Sequence, residues 1–217
     1  MKKIIVGAMI LLSVSMSAQF LSNVRFGGVA GLNYSRVKNA HNPSGPRYTF
    51  QAGVLAEIPI TSDDQFYLQP ELVYYGAGET GKDPDAKNFP GYDALYANNY
   101  ISVPIYLKAF FSERKSEFFG LIGPRFNILI NQNVKNPAKD GYTIDGAGNI
   151  DGKASGFNMA IGAGVGYSYK RKLELTIRGD FGLLNAYKGL LNEGDTPELN
   201  KSAKEHVISV GVNYIFD

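Results

Sequence analysis

The stretch YTFQAGVLAEIPI, residues 48–60, decides the fold. Every second side chain, beginning with Tyr48 and Phe50 and ending with Ile60, is aromatic or aliphatic. The positions between them include Gln51, Gly53 and Glu57. A period of two is typical of a β-strand whose two faces meet different surroundings. The stretch therefore predicts a strand with one apolar face and one polar face.

The same period recurs along the chain and predicts about eight strands. Each is as long as the ~9–11 residues that a tilted strand needs to cross a bilayer, or longer. The predicted strands are residues 23–36, 48–60, 66–76, 100–111, 117–130, 157–169, 172–184 and 206–216.

Alternation alone leaves two all-β folds open, because a soluble lipocalin-like barrel would turn the apolar face inward. The connections favour a membrane barrel, since tight turns (61–65, 112–116, 170–171) alternate with long polar loops (37–47, 77–99, 131–156, 185–205). Aromatic residues cluster at both ends of the apolar face, as at the two interfaces of a membrane. Glycines crowd the polar face, as the interior of a narrow barrel requires. We therefore predict a single antiparallel transmembrane β-barrel with short periplasmic turns and long extracellular loops.

The first residues have the pattern of an export signal. Lys2 and Lys3 precede an apolar run at 4–12, and small residues lead to Ala18. The alternative is a membrane anchor, but the run is shorter than the ~20 residues that span a bilayer. We predict a signal peptide at 1–18 and a barrel domain at 19–217.

The overall charge excludes one class of partner. The chain has 22 Lys and Arg against 20 Asp and Glu. Without Lys2 and Lys3 the numbers become 20 and 20, and nucleic-acid binding needs a sustained basic face. The chain has no cysteine, which excludes disulfides, thiolate metal sites and thiol catalysis. We expect no nucleic-acid partner and no cofactor.

Several motifs resemble the PorT-like outer membrane β-barrel family. They are GVAGLNYS at 28–35, YISVPIYLK at 100–108, FGLIGP at 119–124 and VGVNYIF at 210–216. The motif containing Pro104 and Lys108 is the most specific. The resemblance covers essentially the whole mature chain and implies a membrane barrel, which in some members is linked to protein secretion. The last strand is also similar to the assembly signal of such barrels, with Tyr214 and Phe216, although Asp217 makes the final aromatic penultimate.

Ionisable residues recur on the predicted inner face, with four cations and four carboxylates. An eight-stranded barrel is just wide enough for side chains to fill it, so charges there must pair. We interpret the set as a structural salt-bridge plug. A selectivity ring in an open pore and a catalytic carboxylate pair remain alternatives. The set consists of Arg25, Glu57, Glu71, Lys108, Arg125, Glu174, Arg178 and Asp180.

Two weaker constellations lie in the predicted extracellular region. His206 with Glu205 and Ser202 or Ser209 could form a lipid-hydrolysing site, although no motif fixes their geometry. His41 lies in the first long loop. The third loop carries oxygen ligands suited to calcium, but their spacing does not match an EF-hand and is also ordinary turn chemistry. These ligands are Asp140, Asp145, Asn149 and Asp151.

The sequence thus predicts a non-catalytic, integral outer-membrane barrel with a charge-plugged lumen. Its expected partners are outer-membrane lipid, the barrel-assembly machinery and an unidentified protein that binds the loops or the basic periplasmic turns. The alternative is a porin-like channel for small solutes, in which a wet path would be lined by unpaired charge. An enzyme is the third class.

Overall fold

A computed structural model describes residues 23–137, 142–143, 150–151, 153–187 and 203–216. Eight long strands close into one barrel, and two two-residue strands pair in parallel beside it. The strands are β1 (Arg25–Lys38), β2 (Gly45–Pro59), β3 (Phe66–Thr80), β4 (Leu95–Phe110), β5 (Glu117–Lys135), β6 (Tyr142–Thr143), β7 (Ile150–Asp151), β8 (Phe157–Tyr169), β9 (Leu173–Asn185) and β10 (Lys204–Ile215).

The barrel has the simplest antiparallel connectivity. Its strand order is β1-β10-β9-β8-β5-β4-β3-β2, so each long strand pairs with the long strands before and after it along the chain. β1 and β10 close the ring in register, with Gly31 opposite Gly211. The prediction of a single closed antiparallel barrel of eight strands is confirmed.

The outer wall carries the apolar face of each strand. On β1 the outward positions run from Phe26 through Leu32, which is 72% exposed, to Tyr34. Opposite them on β10, Val210, Val212 and Tyr214 are also about half exposed. Large apolar side chains exposed in continuous rows are what a lipid-facing barrel wall requires. Among the described residues, no helix has the length and apolar character needed to cross a membrane.

At two glycines the backbone of the neighbouring strand lies where a side chain would be. A Cβ atom at Gly53 would lie 2.1 Å from the carbonyl oxygen of Leu72. A Cβ atom at Gly123 would lie 2.0 Å from the carbonyl oxygen of Ile105. Both contacts are with backbone, which cannot rotate away as a side chain can. These positions therefore need glycine for steric reasons.

The strands extend further at the extracellular end than the sequence predicts. β3 ends at Thr80 instead of residue 76, β4 begins at Leu95 instead of residue 100, and β5 ends at Lys135 instead of residue 130. The predicted loops 77–99 and 131–156 are correspondingly too long. The reason is physical: the two faces of these extensions do not differ in burial as the faces of the wall do, since residues 75–79 of β3 and 96–98 of β4 are buried on both faces. The pairing therefore continues after the period-two signal has ended.

Several predicted features lie outside the described residues. They include the export signal at 1–18 and Ser202. The possible calcium ligands Asp140, Asp145 and Asn149 also lie outside, and for Asp151 only the backbone is described.

Candidate functional site

The eight predicted lumen residues all point into the barrel. Seven are almost completely buried, and the side chain of Arg25, at the periplasmic end, is 30% exposed. They occupy the inward positions of β1, β2, β3, β4, β5 and β9. The alternation that sends apolar side chains to the outer wall places these polar side chains in the lumen. The structure brings all eight into ion pairs, arranged in two tiers.

The tier nearer the periplasm is a chain of four charges. Arg25 Nη2 lies 2.8 Å from Glu57 Oε2. Lys108 Nζ lies 2.5 Å from Glu57 Oε1 and 2.5 Å from Glu174 Oε1. Asn213 Nδ2 donates to the other oxygen of Glu174 at 3.1 Å. Two cations and two carboxylates thus balance one another, and only Arg25 is partly exposed to solvent.

The central tier contains two separate pairs. Arg178 Nη1 lies 2.8 Å from Glu71 Oε1, and Gln69 Nε2 donates to the same carboxylate at 2.7 Å. Arg125 Nη1 lies 3.1 Å from Asp180 Oδ2. Arg125 Nη2 also donates to Gln51 Oε1 at 3.2 Å.

Aromatic rings pack between the charges and fill the remaining width. The guanidinium of Arg125 lies 4.1 Å from the ring centre of Tyr75, and that of Arg178 lies 5.1 Å from the ring centre of Tyr106. The ammonium of Lys108 lies 4.2 Å from the ring centre of Phe119. Contacts of this kind stabilise a desolvated cation. Each central cation therefore has a carboxylate and a ring as neighbours.

Arg171 closes the periplasmic end of the barrel, although it lies in the tight turn between β8 and β9. It forms an ion pair with the buried Glu117, and its guanidinium lies 3.5 Å from the ring centre of Phe110. It also donates to the carbonyl oxygens of Asp64 at 3.0 Å and Arg114 at 3.1 Å. The sequence places Arg171 in a tight turn and does not indicate a role for it at the barrel end. Glu117 and Arg125 lie on the same set of alternate, inward-facing positions of β5. This alternation was the signal that could have identified Glu117 as a further lumen charge.

A second missed group lies at the extracellular end. His41 Nδ1 lies 2.5 Å from Glu79 Oε1, and Ser44 Oγ donates to Glu79 Oε2 at 2.6 Å. The His41 ring stacks on Tyr96 with centres 3.4 Å apart. Serine and histidine both contact the carboxylate here, and so this group differs from a hydrolase triad, in which histidine bridges serine and acid. No period-two signal marks residue 79, which the sequence placed in a loop.

The alternative lipid-hydrolysing site is not assembled. Glu205 and Ser209 point into the lumen and are buried, whereas His206 lies between them on β10 and points to the outer wall. The barrel wall separates the histidine from both groups. Among the described residues, no group of three or more His, Asp and Glu side chains is placed to hold a metal ion.

The lumen has one clear chemical property. Taking a charge out of water costs several kcal/mol, and a close counter-ion with further hydrogen bonds offsets that cost. All four cations of the set have such a counter-ion within 3.1 Å. The arrangement therefore neutralises the eight charges of the set where they meet inside the barrel.

Comparison with solved structures finds other small barrels. The attachment invasion locus protein Ail of Yersinia pestis, in complex with sucrose octasulfate, is 13% identical, with a TM-score of 0.45, 89% of this chain covered and 99% of that one. Neisserial surface protein A is 12% identical, with a TM-score of 0.46 and coverage of 88% and 97%. The outer membrane enzyme PagL is 10% identical, with a TM-score of 0.47 and coverage of 88% and 98%.

A search of curated proteins finds no match. The family model described as outer membrane protein beta-barrel domain matches residues 17–188, which is most of the chain. The closed eight-stranded barrel and its apolar wall agree with that match. The chain belongs to the outer membrane protein beta-barrel domain family.

Proposed function

We propose that this protein is a non-catalytic component of the outer membrane whose lumen is closed by paired charges, and which acts as a structural or partner-binding barrel. The observation that carries the proposal is the pairing of all eight predicted lumen charges inside an eight-stranded barrel. A channel would need a continuous wet path with charge available to ions. In the two tiers each charged side chain of the set instead has an ion-pair partner.

The test is conductance in planar bilayers. Folded wild-type protein should insert and show no stable current. Gel mobility before and after boiling, measured on the same sample, establishes that the protein without current is a folded barrel. Steady, ion-selective single-channel currents from the wild type would overturn the closed lumen.

A small-solute channel is the second candidate, and one observation favours it. Near the extracellular end, Glu205 Oε2, the Tyr100 hydroxyl and Asn98 Oδ1 are buried and have no hydrogen-bond partner among the described residues. Buried polar atoms of this kind are commonly satisfied by water. In the central tier, Nε and Nη1 of Arg125 and Nε and Nη2 of Arg178 also lack a hydrogen-bond partner among the described residues. Water at both levels would form the start of a wet path.

We further propose that the barrel binds a periplasmic protein partner. The resemblance to PorT-like proteins supports a role associated with secretion, and the exposed turns offer the basic side chains of Arg114, Lys115 and Lys170 to a periplasmic protein. Cross-linking in intact outer membranes, followed by co-purification, tests this role. Recovery of the barrel alone after efficient cross-linking would favour a purely structural function.

Export and assembly complete the proposal. Cleavage after Ala18 should expose Gln19 as the first residue of the mature protein, which N-terminal sequencing of the membrane form measures. Tyr214 and Phe216 at the end of the chain are both half exposed, with ring centres 5.8 Å apart. We assign them to recognition by the barrel-assembly machinery. Absence of lipid A and phospholipid turnover by purified protein tests the non-catalytic assignment.

A further inference from the structure

The apolar wall ends abruptly on the two strands that close the barrel. On β1 the outward positions are apolar or glycine up to Tyr34, and the next two are Arg36 and Lys38. On β10 the outward positions are apolar down to Ile208, and the next two toward the extracellular end are His206 and Lys204. One side of the wall thus changes from apolar to basic within a single step of the pleat.

Register places these four basic residues side by side. Tyr34 pairs with Ile208, Arg36 with His206, and Lys38 with Lys204. Directly opposed residues on antiparallel strands have Cβ atoms about 4.5–5.5 Å apart, and like charges at that distance repel. Burial first, and then the positive charges of Lys38 and Lys204, lower the pKa of the His206 ring, so the permanent cations here are Arg36, Lys38 and Lys204. Among the described residues, none of the four has a carboxylate partner in an ion pair. We call Arg36, Lys38, Lys204 and His206 the wall cluster.

The wall cluster lies at the level of a membrane interface. Aromatic rings lie in the row of the cluster and in the row below it: Phe181 is opposite His206 with ring centres 5.9 Å apart, and one row below, the Tyr34 and Tyr48 rings are 5.4 Å apart. Aromatic belts mark the depth of the lipid headgroups. Two residues along a strand span about 7 Å, so the cations lie just above that depth. The exposed apolar row of Leu32 and Ile208 continues beneath them.

We propose that the wall cluster binds the phosphate groups of lipopolysaccharide in the outer leaflet. Cations clustered at a membrane surface attract anionic headgroups. An amphiphile also explains why the cations point outward from the wall, because its acyl chains would cover the apolar row below while its phosphates meet the cations. A free phosphate ion would use the cations only. The inference rests on the outer-membrane orientation in the proposed function, and it does not depend on whether the lumen conducts.

The experiment measures binding of bisphosphorylated lipid A to full-length folded barrel in non-ionic detergent, by native mass spectrometry. The test variant is Lys38→Gln/Lys204→Gln. The matched control is Lys115→Gln/Lys172→Gln, which removes the same charge from the exposed periplasmic turns. We expect at least a tenfold loss of lipid A affinity in the test variant and little change in the control. Lys38→Arg/Lys204→Arg should retain binding.

Three further arms identify the ligand. Dephosphorylated lipid A should bind the wild type as weakly as lipid A binds the test variant. Inorganic phosphate at millimolar concentration should fail to displace lipid A. Phosphatidylglycerol should bind more weakly than lipid A, and equal binding would overturn the commitment to lipopolysaccharide. Equal loss in test and control variants would overturn the site. Gel mobility before boiling establishes folding, and a conductance measurement on the same samples reports separately on the lumen.

Discussion

Replacement of Arg178 by alanine is the most direct perturbation of the lumen. The guanidinium is buried and lies 2.8 and 2.9 Å from the two oxygens of Glu71. After the change, Gln69 Nε2, at 2.7 Å, is the one hydrogen-bond donor that the described residues leave to the carboxylate. Breaking a buried pair by removing one partner costs about 3–5 kcal/mol, because a buried charge is left uncompensated. The free energy of unfolding should fall by that amount.

The assay is urea unfolding of the barrel in detergent, followed by gel mobility without boiling. With a slope of about 2 kcal/mol per molar urea, the midpoint should fall by about 2 M. Arg114→Ala, an exposed arginine in a periplasmic turn, is the matched control and should shift the midpoint little. The double variant Arg178→Ala/Glu71→Ala should lose less than the sum of the single variants. A fall of less than about 0.5 M, with additive single effects, would refute the paired, water-poor lumen.

Three other predictions concern the wall and the packing. The protein should fractionate with the outer membrane and change gel mobility on boiling, and recovery as a soluble periplasmic protein without that change would contradict the topology. Leu72→Arg, on the lipid-facing wall, should impair insertion, because a charge near the bilayer midplane costs about 2–4 kcal/mol. Phe89→Arg, equally exposed but outside the wall strands, should insert normally, and equal damage from both would mean that the wall is assigned wrongly. Gly123→Ala should destabilise the barrel by about 1–3 kcal/mol through a backbone clash. Gly120→Ala, whose Cβ would meet nothing closer than 3.7 Å, should change unfolding free energy by less than about 0.5 kcal/mol.

Strand number and facing could be predicted because one physical cause acts along the whole membrane-spanning wall. Lipid on one side and a packed polar lumen on the other impose a period of two, as residues 48–60 show. Above the membrane that cause is absent. Leu95 to Asn99 therefore pair as part of β4 although their sequence shows no alternation. Beyond the aromatic belt, a strand ends where its pairing with the neighbouring strands ends. The periodicity of the sequence carries no information about that pairing.

The period of two also predicted that the lumen charges lie on the inner face, but it could not identify which charges pair. Arg178 pairs with Glu71, which lies 107 positions earlier in the chain. Which inward residues meet depends on strand tilt and stagger, and these are properties of the closed barrel. The contacts of Arg171 could not be predicted either, because strand alternation assigns no inward or outward face to a residue in a turn. Its partner Glu117 does lie at an inward-facing position of β5, but only the geometry of the closed barrel shows that the two residues meet.

The ion pairs link strands that backbone hydrogen bonds do not. Ladder hydrogen bonds join only neighbours in the ring, whereas Arg178 on β9 meets Glu71 on β3, four strands away and directly across the barrel. Lys108 on β4 meets Glu57 on β2 and Glu174 on β9, which are two and three strands away. The charges that close the lumen thus also brace the barrel across its width. Removing one charge should therefore weaken the fold before it opens a path, and a stable open variant would require both members of a pair to be replaced together.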